Sequence, residues 1–186
     1  MKNIGTNTIE TDRLILRRLV LDDAYLMYNN WCSDPLVALY VTWDVHENID
    51  VTKKLLDIWV PNYKNDNFYL WGVYAKEDKT LIGSIDIRIV DNNDFGEIGY
   101  CYGKKWWGKG LGTEALKAVL DYGFNNIGLY MLTAKHLAEN PASGKVMQKC
   151  GMKYDATIRS GYISKVTGIR DNLVYYSITK DEYDII

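Results

Sequence analysis

Residues 103–116 read GKKWWGKGLGTEAL, with glycine at the alternate positions 108, 110 and 112 directly before an amphipathic run that starts near Thr113. Glycines spaced this way let successive backbone amides turn toward one point and let a ligand approach the chain closely. A helix start adds unpaired N–H groups and the positive end of its dipole, and Lys104, Lys105 and Lys109 add mobile positive charge. The chemistry suggested is a phosphate or pyrophosphate cradle. A turn that serves only packing is the plainer alternative, since glycine density alone is a weak signal. Two other phosphate loops fail on particular residues. The run from Gly103 to Lys109 satisfies G-x-x-x-x-G-K, but Gly110 stands where Ser or Thr would hold magnesium. The dinucleotide pattern G-x-G-x-x-G needs a third glycine where this chain has Thr113.

The longer segment EIGYCYGKKWWGKGLGTEAL resembles the acyl-CoA pyrophosphate loop of the GNAT superfamily of N-acetyltransferases, in particular its ribosomal-protein N-terminal acetyltransferase branch. The family pattern Gln/Arg-x-x-Gly-x-Gly/Ala falls on Trp107, Gly110 and Gly112. Trp107 departs from that pattern, at a position where the resembled branch often has an aromatic; a side-chain contact is affected rather than the backbone cradle. TDRLILR near the start resembles the same branch, and NPASGKVMQKCGMKY resembles its Asn-x-x-Ser helix. The resemblance implies acetyl-CoA as co-substrate, with no metal. It places the pyrophosphate on Trp107, Gly108, Lys109, Gly110, Leu111, Gly112 and Thr113, the acyl carbonyl against the backbone of Tyr100, Cys101 and Tyr102, and the pantetheine beside Asn140 and Ser143.

Acetyl transfer to an amine requires a neutral amine, a polarised thioester carbonyl and a tolerable leaving thiolate. An α-amine of pKa about 8 is roughly one-tenth neutral at pH 7, whereas a lysine of pKa about 10.4 is neutral only a few times in ten thousand. A protein N-terminus therefore needs little basic help, and a carboxylate acting through water suffices. Glu97 is the candidate base; a strand-end surface charge is the equal alternative. A backbone amide within residues 100–102 would polarise the carbonyl. Many relatives protonate the thiolate with a tyrosine, but the matching position is Met147, leaving Ser143 or water. Ser143 reads equally as an ordinary first-turn serine. Asn140 can cap its helix and bind pantetheine together. Cys101 with His136 lacks any supporting motif for a nucleophile and base, and both are expected to be structural. His46 is expected at the surface, and Arg13, Arg17 and Arg18 are expected to be solvated.

These groups need elements to position them. Residues 9–19 read as a first strand, and Asp22 or Asp23 begins a helix running to about Cys32. Asn48 or Asp50 caps a helix ending at Pro61, with Val51, Leu55, Ile58 and Trp59 at helical spacing. Residues 68–75, 81–90 and 96–102 alternate as three strands of an antiparallel meander, joined by KEDKT and DNNDFG. The helix after the glycine loop buries Leu116, Val119, Leu120 and Ile127, and residues 131–138 follow as a parallel strand. Asn140-Pro141 starts the next helix, which Gly144 weakens and Gly151 ends. Residues 152–164 and 172–178 close the chain around KVTGIRD.

The chain has 186 residues, 47% of them hydrophobic, which suits one domain spanning residues 1–186. A net charge of -2 supplies no basic footprint for nucleic acid. Three widely spaced cysteines indicate neither a disulfide framework nor a zinc site. No signal-like or membrane-spanning run is visible, so a cytoplasmic protein without a membrane partner is expected. Antiparallel meander plus one parallel crossover, with helices on both faces, is the α/β GNAT-type acyl-CoA N-acyltransferase fold that the resemblance implies. The expected activity is acetylation of a primary amine, foremost a protein N-terminal α-amine. A small amine such as a polyamine or aminoglycoside is the alternative acceptor. A non-catalytic acyl-CoA-binding module and a nucleotide-dependent phosphotransferase are the rival classes. Oligomeric state, monomer or homodimer, is left open.

Overall fold

A computed structural model describes residues 1–90, 94–165 and 167–185. Eight strands form one sheet in the order β1-β2-β3-β4-β5-β6-β8-β7. The strands are β1 (Ile9–Glu10), β2 (Leu14–Arg17), β3 (Tyr69–Ala75), β4 (Thr80–Ile89), β5 (Phe95–Tyr102), β6 (Met131–Leu137), β7 (Lys153–Ile163) and β8 (Arg170–Thr179). Neighbours pair antiparallel except β5 and β6, which run parallel across the crossover helix. The turn expected over residues 91–96 lies partly outside the described residues, as does Val166 in the closing turn.

One expected strand is two. Residues 9–19 fold back as the β1–β2 hairpin because Thr11 closes a turn: the Leu14 N–H donates to Thr11 Oγ1 at 3.0 Å, and the Thr11 N–H donates to the Leu14 carbonyl at 3.0 Å. The alternation of residues 14–17 was legible, but the side-chain bond that reverses the chain before it was not.

On one face pack α1 (Ala24–Met27), continued by a wider helical turn to Cys32, α2 (Pro35–Ala38) and α3 (Ile49–Asn62). Asn48 caps α3 by accepting from the Asp50 N–H, and Asp34 caps α2 by accepting from the Leu36 N–H. On the other face pack α4 (Leu111–Asp121) and α5 (Pro141–Lys149); α6 (Lys180–Tyr183) follows β8. Asn140 caps α5, with Pro141 at its first position. Each face has its own apolar cluster. Tyr69, Trp71, Ile85, Ile87 and Ile98 meet Leu116, Val119 and Met147 beneath α4 and α5, while Leu70 and Leu81 meet Met27, Trp31 and Leu56 beneath α1 and α3. The strands thus alternate between two buried surfaces. No helix among the described residues is long and apolar enough to cross a membrane.

Candidate active site

The parallel pairing of β5 with β6 is short. It runs from Phe95 opposite Met131 to Ile98 opposite Ala134 and stops there. β5 stays with β4 as far as Tyr102, whereas β6 continues along β8 to Leu137. Residues 99–102 therefore have no strand partner on the β6 side, and the sheet is open at this point. A cavity of about 1160 Å³ passes through the opening, reaching Tyr100 and His136 from one face and Asp86, Glu97 and Cys101 from the other. Backbone groups along such a gap are free to bind an extended ligand.

The glycine loop follows β5 directly. Gly108 and Gly110 have φ of +74° and +78°, a left-handed conformation that side chains disfavour, and a Cβ at Gly108 would project into open space. Gly112 has another reason: a Cβ there would lie 3.2 Å from the Tyr102 ring. α4 starts at Leu111, two residues earlier than expected, with Gly110 at its cap and no side chain occupying the first-turn amides of the cap. These features fit a pyrophosphate.

Sequence reading missed what holds the loop. Arg13, in the β1–β2 turn, donates from Nε to Glu114 Oε2 at 2.6 Å and from a guanidinium nitrogen to the Lys109 carbonyl at 3.1 Å. Glu114 also accepts from the Thr11 hydroxyl at 2.6 Å and the Arg13 N–H at 2.9 Å. Burial alone would raise the Glu114 carboxyl, but the bonds from Thr11 and Arg13 prevail and hold it below its ordinary value. Trp107 donates its indole N–H to the Tyr102 carbonyl at 2.7 Å and lies beside the Tyr40 ring. Its side chain thereby closes the end of β5. Of the loop lysines, Lys105 lies over the Trp106 ring, 5.1 Å from its centroid.

Ser143 and Tyr100 come together on the α5 side of the opening. Their hydroxyls are 2.8 Å apart, and Tyr100 also donates to the Ser143 carbonyl at 3.1 Å. Burial pushes the Tyr100 phenol up, so it keeps its proton at neutral pH. Ser143 is also tied to Asn140, whose side-chain oxygen accepts from the Ser143 N–H at 3.4 Å. The Tyr102 hydroxyl is buried without a hydrogen-bond partner among the described residues.

On the α3 side, Glu97 is clamped between Arg88 and Lys135, the latter 3.0 Å away. Asp86 lies beside it on β4 and was not singled out from the sequence. Burial raises its carboxyl to about 7, against the pull of Arg88. Cys101 points to this face, its sulfur 3.5 Å from the Ser84 hydroxyl, and burial raises its thiol to about 11. His136 is on the opposite face, with Nδ1 donating to the Leu137 carbonyl at 2.7 Å and Nε2 against Gly144 of α5. The sheet separates the pair.

Two expectations are corrected. His46 is buried, not superficial: Nδ1 lies 2.8 Å from the Thr52 hydroxyl, and burial lowers its pKa. Arg17 is half-buried and forked onto Asp23 at 2.7 and 2.8 Å rather than solvated, whereas Arg13 and Arg18 are exposed as expected, Arg18 also donating to the Thr6 carbonyl at 2.7 Å. In α3, Val51, Leu55, Ile58 and Trp59 all border the cavity, while Thr52 and Leu56 face the core. No group of three or more His, Cys, Asp or Glu that could hold a metal is present among the described residues.

Residues 13–153 match the family described as "Acetyltransferase (GNAT) domain". An uncharacterised N-acetyltransferase, p20, of Bacillus licheniformis is 30% identical over 181 residues, covering 95% of this chain and 98% of that protein. A GNAT-family acetyltransferase structure from Bacillus anthracis superposes with a TM-score of 0.82 at 24% identity, over 94% of this chain and 99% of its own. The ribosomal-protein-S5-alanine acetyltransferase of Vibrio fischeri has the same fold, with a TM-score of 0.82 at 19% identity over 95% and 98% of the two chains.

Proposed function

The chain belongs to the GNAT acetyltransferase family, and from that premise we propose that it transfers acetyl from acetyl-CoA to the α-amine of a protein N-terminus. The observation that carries this reading is the opening of the sheet after Ile98, next to the glycine loop at the end of the same strand. A thioester there would lie against the edge of residues 99–101 that has no strand partner on the β6 side, where an amide can polarise its carbonyl. Acetyl-CoA supplies the activated acyl group. The residues of this chain bind its phosphates at 108–113, line its pantetheine with Asn140 and Ser143, and shield the reacting end from water. Hydrogen-bonded Tyr100 and Ser143 form a donor pair that can deliver a proton to the departing sulfur, and the amine enters from the α3 side of the cavity.

The α-amine is favoured because it is already partly neutral at pH 7 and asks little of a base. The kinship of fold with an S5-alanine acetyltransferase agrees with it. A small amine is the second reading, favoured by the aromatic lining of the cavity, which includes Trp43, Trp59 and Phe68.

Calorimetric titration with acetyl-CoA tests the premise, and N-terminal peptides set against small amines test the acceptor. Wild-type protein should bind acetyl-CoA at about micromolar Kd, worth about -8 kcal/mol. Gly110→Asp puts a side chain at a left-handed position and a negative charge in the cradle, and it should abolish that binding. Absence of binding to wild type would sink the reading, and so would binding that survives in the mutant, for the cradle. Turnover of small amines but of no peptide would move the acceptor to the second reading.

A further inference from the structure

Asp86 occupies the middle of β4, opposite Gly99 of β5 and Leu70 of β3. A Cβ built on Gly99 would lie 2.8 Å from Asp86 Oδ1, so the carboxylate rests directly over the Gly99 backbone. Gly99 is the first residue beyond the last β5–β6 pair, Ile98 opposite Ala134. The carboxylate thus sits where the sheet opens, at the floor of the cavity. Among the described residues its one charged partner is Arg88, with Nε at 3.5 Å, and no described group donates it a hydrogen bond. Glu97 differs in this respect: two cations hold it, Arg88 and Lys135.

The wall through which an acceptor would enter is apolar. Tyr40, Trp43, Leu55, Ile58, Trp59 and Phe68 line it. Among the described residues, the charged ones bordering the cavity are three cations, Lys54, Arg88 and Lys135, and two carboxylates, Asp86 and Glu97. With Glu97 clamped, one carboxylate remains for one ammonium group. A polycation would meet Lys54 and find no further carboxylate among the described residues of the cavity lining, and like charge at short range is costly.

We propose that Asp86 takes the proton of the acceptor amine, and that this acceptor presents a single primary amine on an apolar body. The inference rests on the acetyltransferase reading and names the acceptor chemistry of that same site. An ammonium group in the cavity gives one proton to the Asp86 carboxylate, directly or through one water, and becomes a free amine. Its nitrogen lone pair forms the C–N bond to the acyl carbon as the C–S bond breaks. The electron pair of that bond leaves on sulfur, which takes a proton from the Tyr100–Ser143 pair; the second amine proton replaces it there by way of water, and Asp86 afterwards releases its own to solvent. The products are the amide, the thiol and one proton. An apolar first residue of a peptide and a free apolar monoamine share the required chemistry.

The test uses the purified full chain and its Asp86→Asn and Glu97→Gln variants, with acetyl-CoA and a panel of acceptors, following thiol release. The panel holds 2-phenylethylamine, spermidine, kanamycin, and peptides beginning with Leu or with Asp. Asp86→Asn should bind acetyl-CoA as wild type does by calorimetry, which verifies its fold, while kcat falls about a hundredfold or more. The acidic limb of the wild-type kcat profile should lie near pH 7 and vanish in the variant. 2-Phenylethylamine or the Leu peptide should have the highest kcat/KM, and whichever of the two leads identifies the source. A kcat for Asp86→Asn within about threefold of wild type, or a larger loss in Glu97→Gln, overturns the assignment of Asp86. Preference for spermidine, kanamycin or the Asp peptide overturns the acceptor class. No acetyl-CoA binding by wild type overturns this inference together with the reading beneath it; binding with an unaffected Asp86→Asn overturns this inference alone.

Discussion

Asp86 and Glu114 are carboxylates whose environments act in opposite directions. Burial raises Asp86 to about 7 in the folded chain. Across the window from about 4, the ordinary value for Asp, up to about 7, the folded chain keeps a proton that the unfolded chain releases, so this residue makes stability fall as pH rises. Asp86→Asn removes that penalty. Its thermal midpoint should exceed that of wild type at pH 8 and converge with it below pH 4, a comparison that scanning calorimetry makes directly. Glu114 is held below its ordinary value, so its contribution is present at neutral pH and lost as pH falls through its folded pKa. Glu114→Gln should cost about 1 kcal/mol at pH 7, given partial screening of the exposed Arg13, and nothing at acid pH. Urea titrations at the two pH values measure the difference. Both residues were present in the sequence as ordinary charges. The burial of Asp86 comes from β3 and β5 on either side of its strand, and the partners of Glu114, Thr11 and Arg13, lie more than a hundred positions earlier in the chain.

At the scale of elements, α5 shows how local rules and tertiary contacts divide the work. Asn140-Pro141 marks its start whatever surrounds it, because the cap bond and the proline φ are local. Gly144 weakens the helix by the same local rules, and sequence offers no reason to keep it. The reason is β6: a Cβ on Gly144 would come within 2.6 Å of His136 Nε2. Gly144→Ala gains helix propensity but forces α5 away from the sheet, and should destabilise the protein by about 1–3 kcal/mol in urea unfolding. It also moves Ser143 from Tyr100, so kcat should fall with it. α3 makes the complementary point. Its apolar spacing was plain, but Leu56 faces the core while Val51, Leu55, Ile58 and Trp59 border the cavity. Periodicity identifies an apolar stripe and leaves its neighbour unspecified, whether protein interior or ligand.

For the molecule as a whole, the cavity depends on segments that the sequence separates widely. Tyr162 of β7 donates to the Val41 carbonyl at 3.0 Å, tying the closing hairpin to the segment before α3. Tyr162→Phe cuts this tie without emptying its volume. The KM for the acceptor should rise about threefold or more while acetyl-CoA affinity is unchanged, because the glycine loop is held independently by Arg13 and Glu114. Steady-state kinetics with each substrate varied in turn separates the two. The residues that determined most by sequence alone were those whose role is backbone geometry: the glycines of the loop, the Asn side chains that cap helices, and the alternation of β4. From them came the meander, the crossover and the left-handed glycine turn before α4, since each draws on patterns a few positions long. Only the tertiary structure decided that β5 and β6 part after Ile98, that His46 is buried, that Arg13 pins the loop, and that Asp86 rather than its clamped neighbour is left without a hydrogen-bond donor. Those outcomes depend on which distant strands and helices meet, because burial and charge pairing are properties of the assembled neighbourhood and not of any stretch of chain.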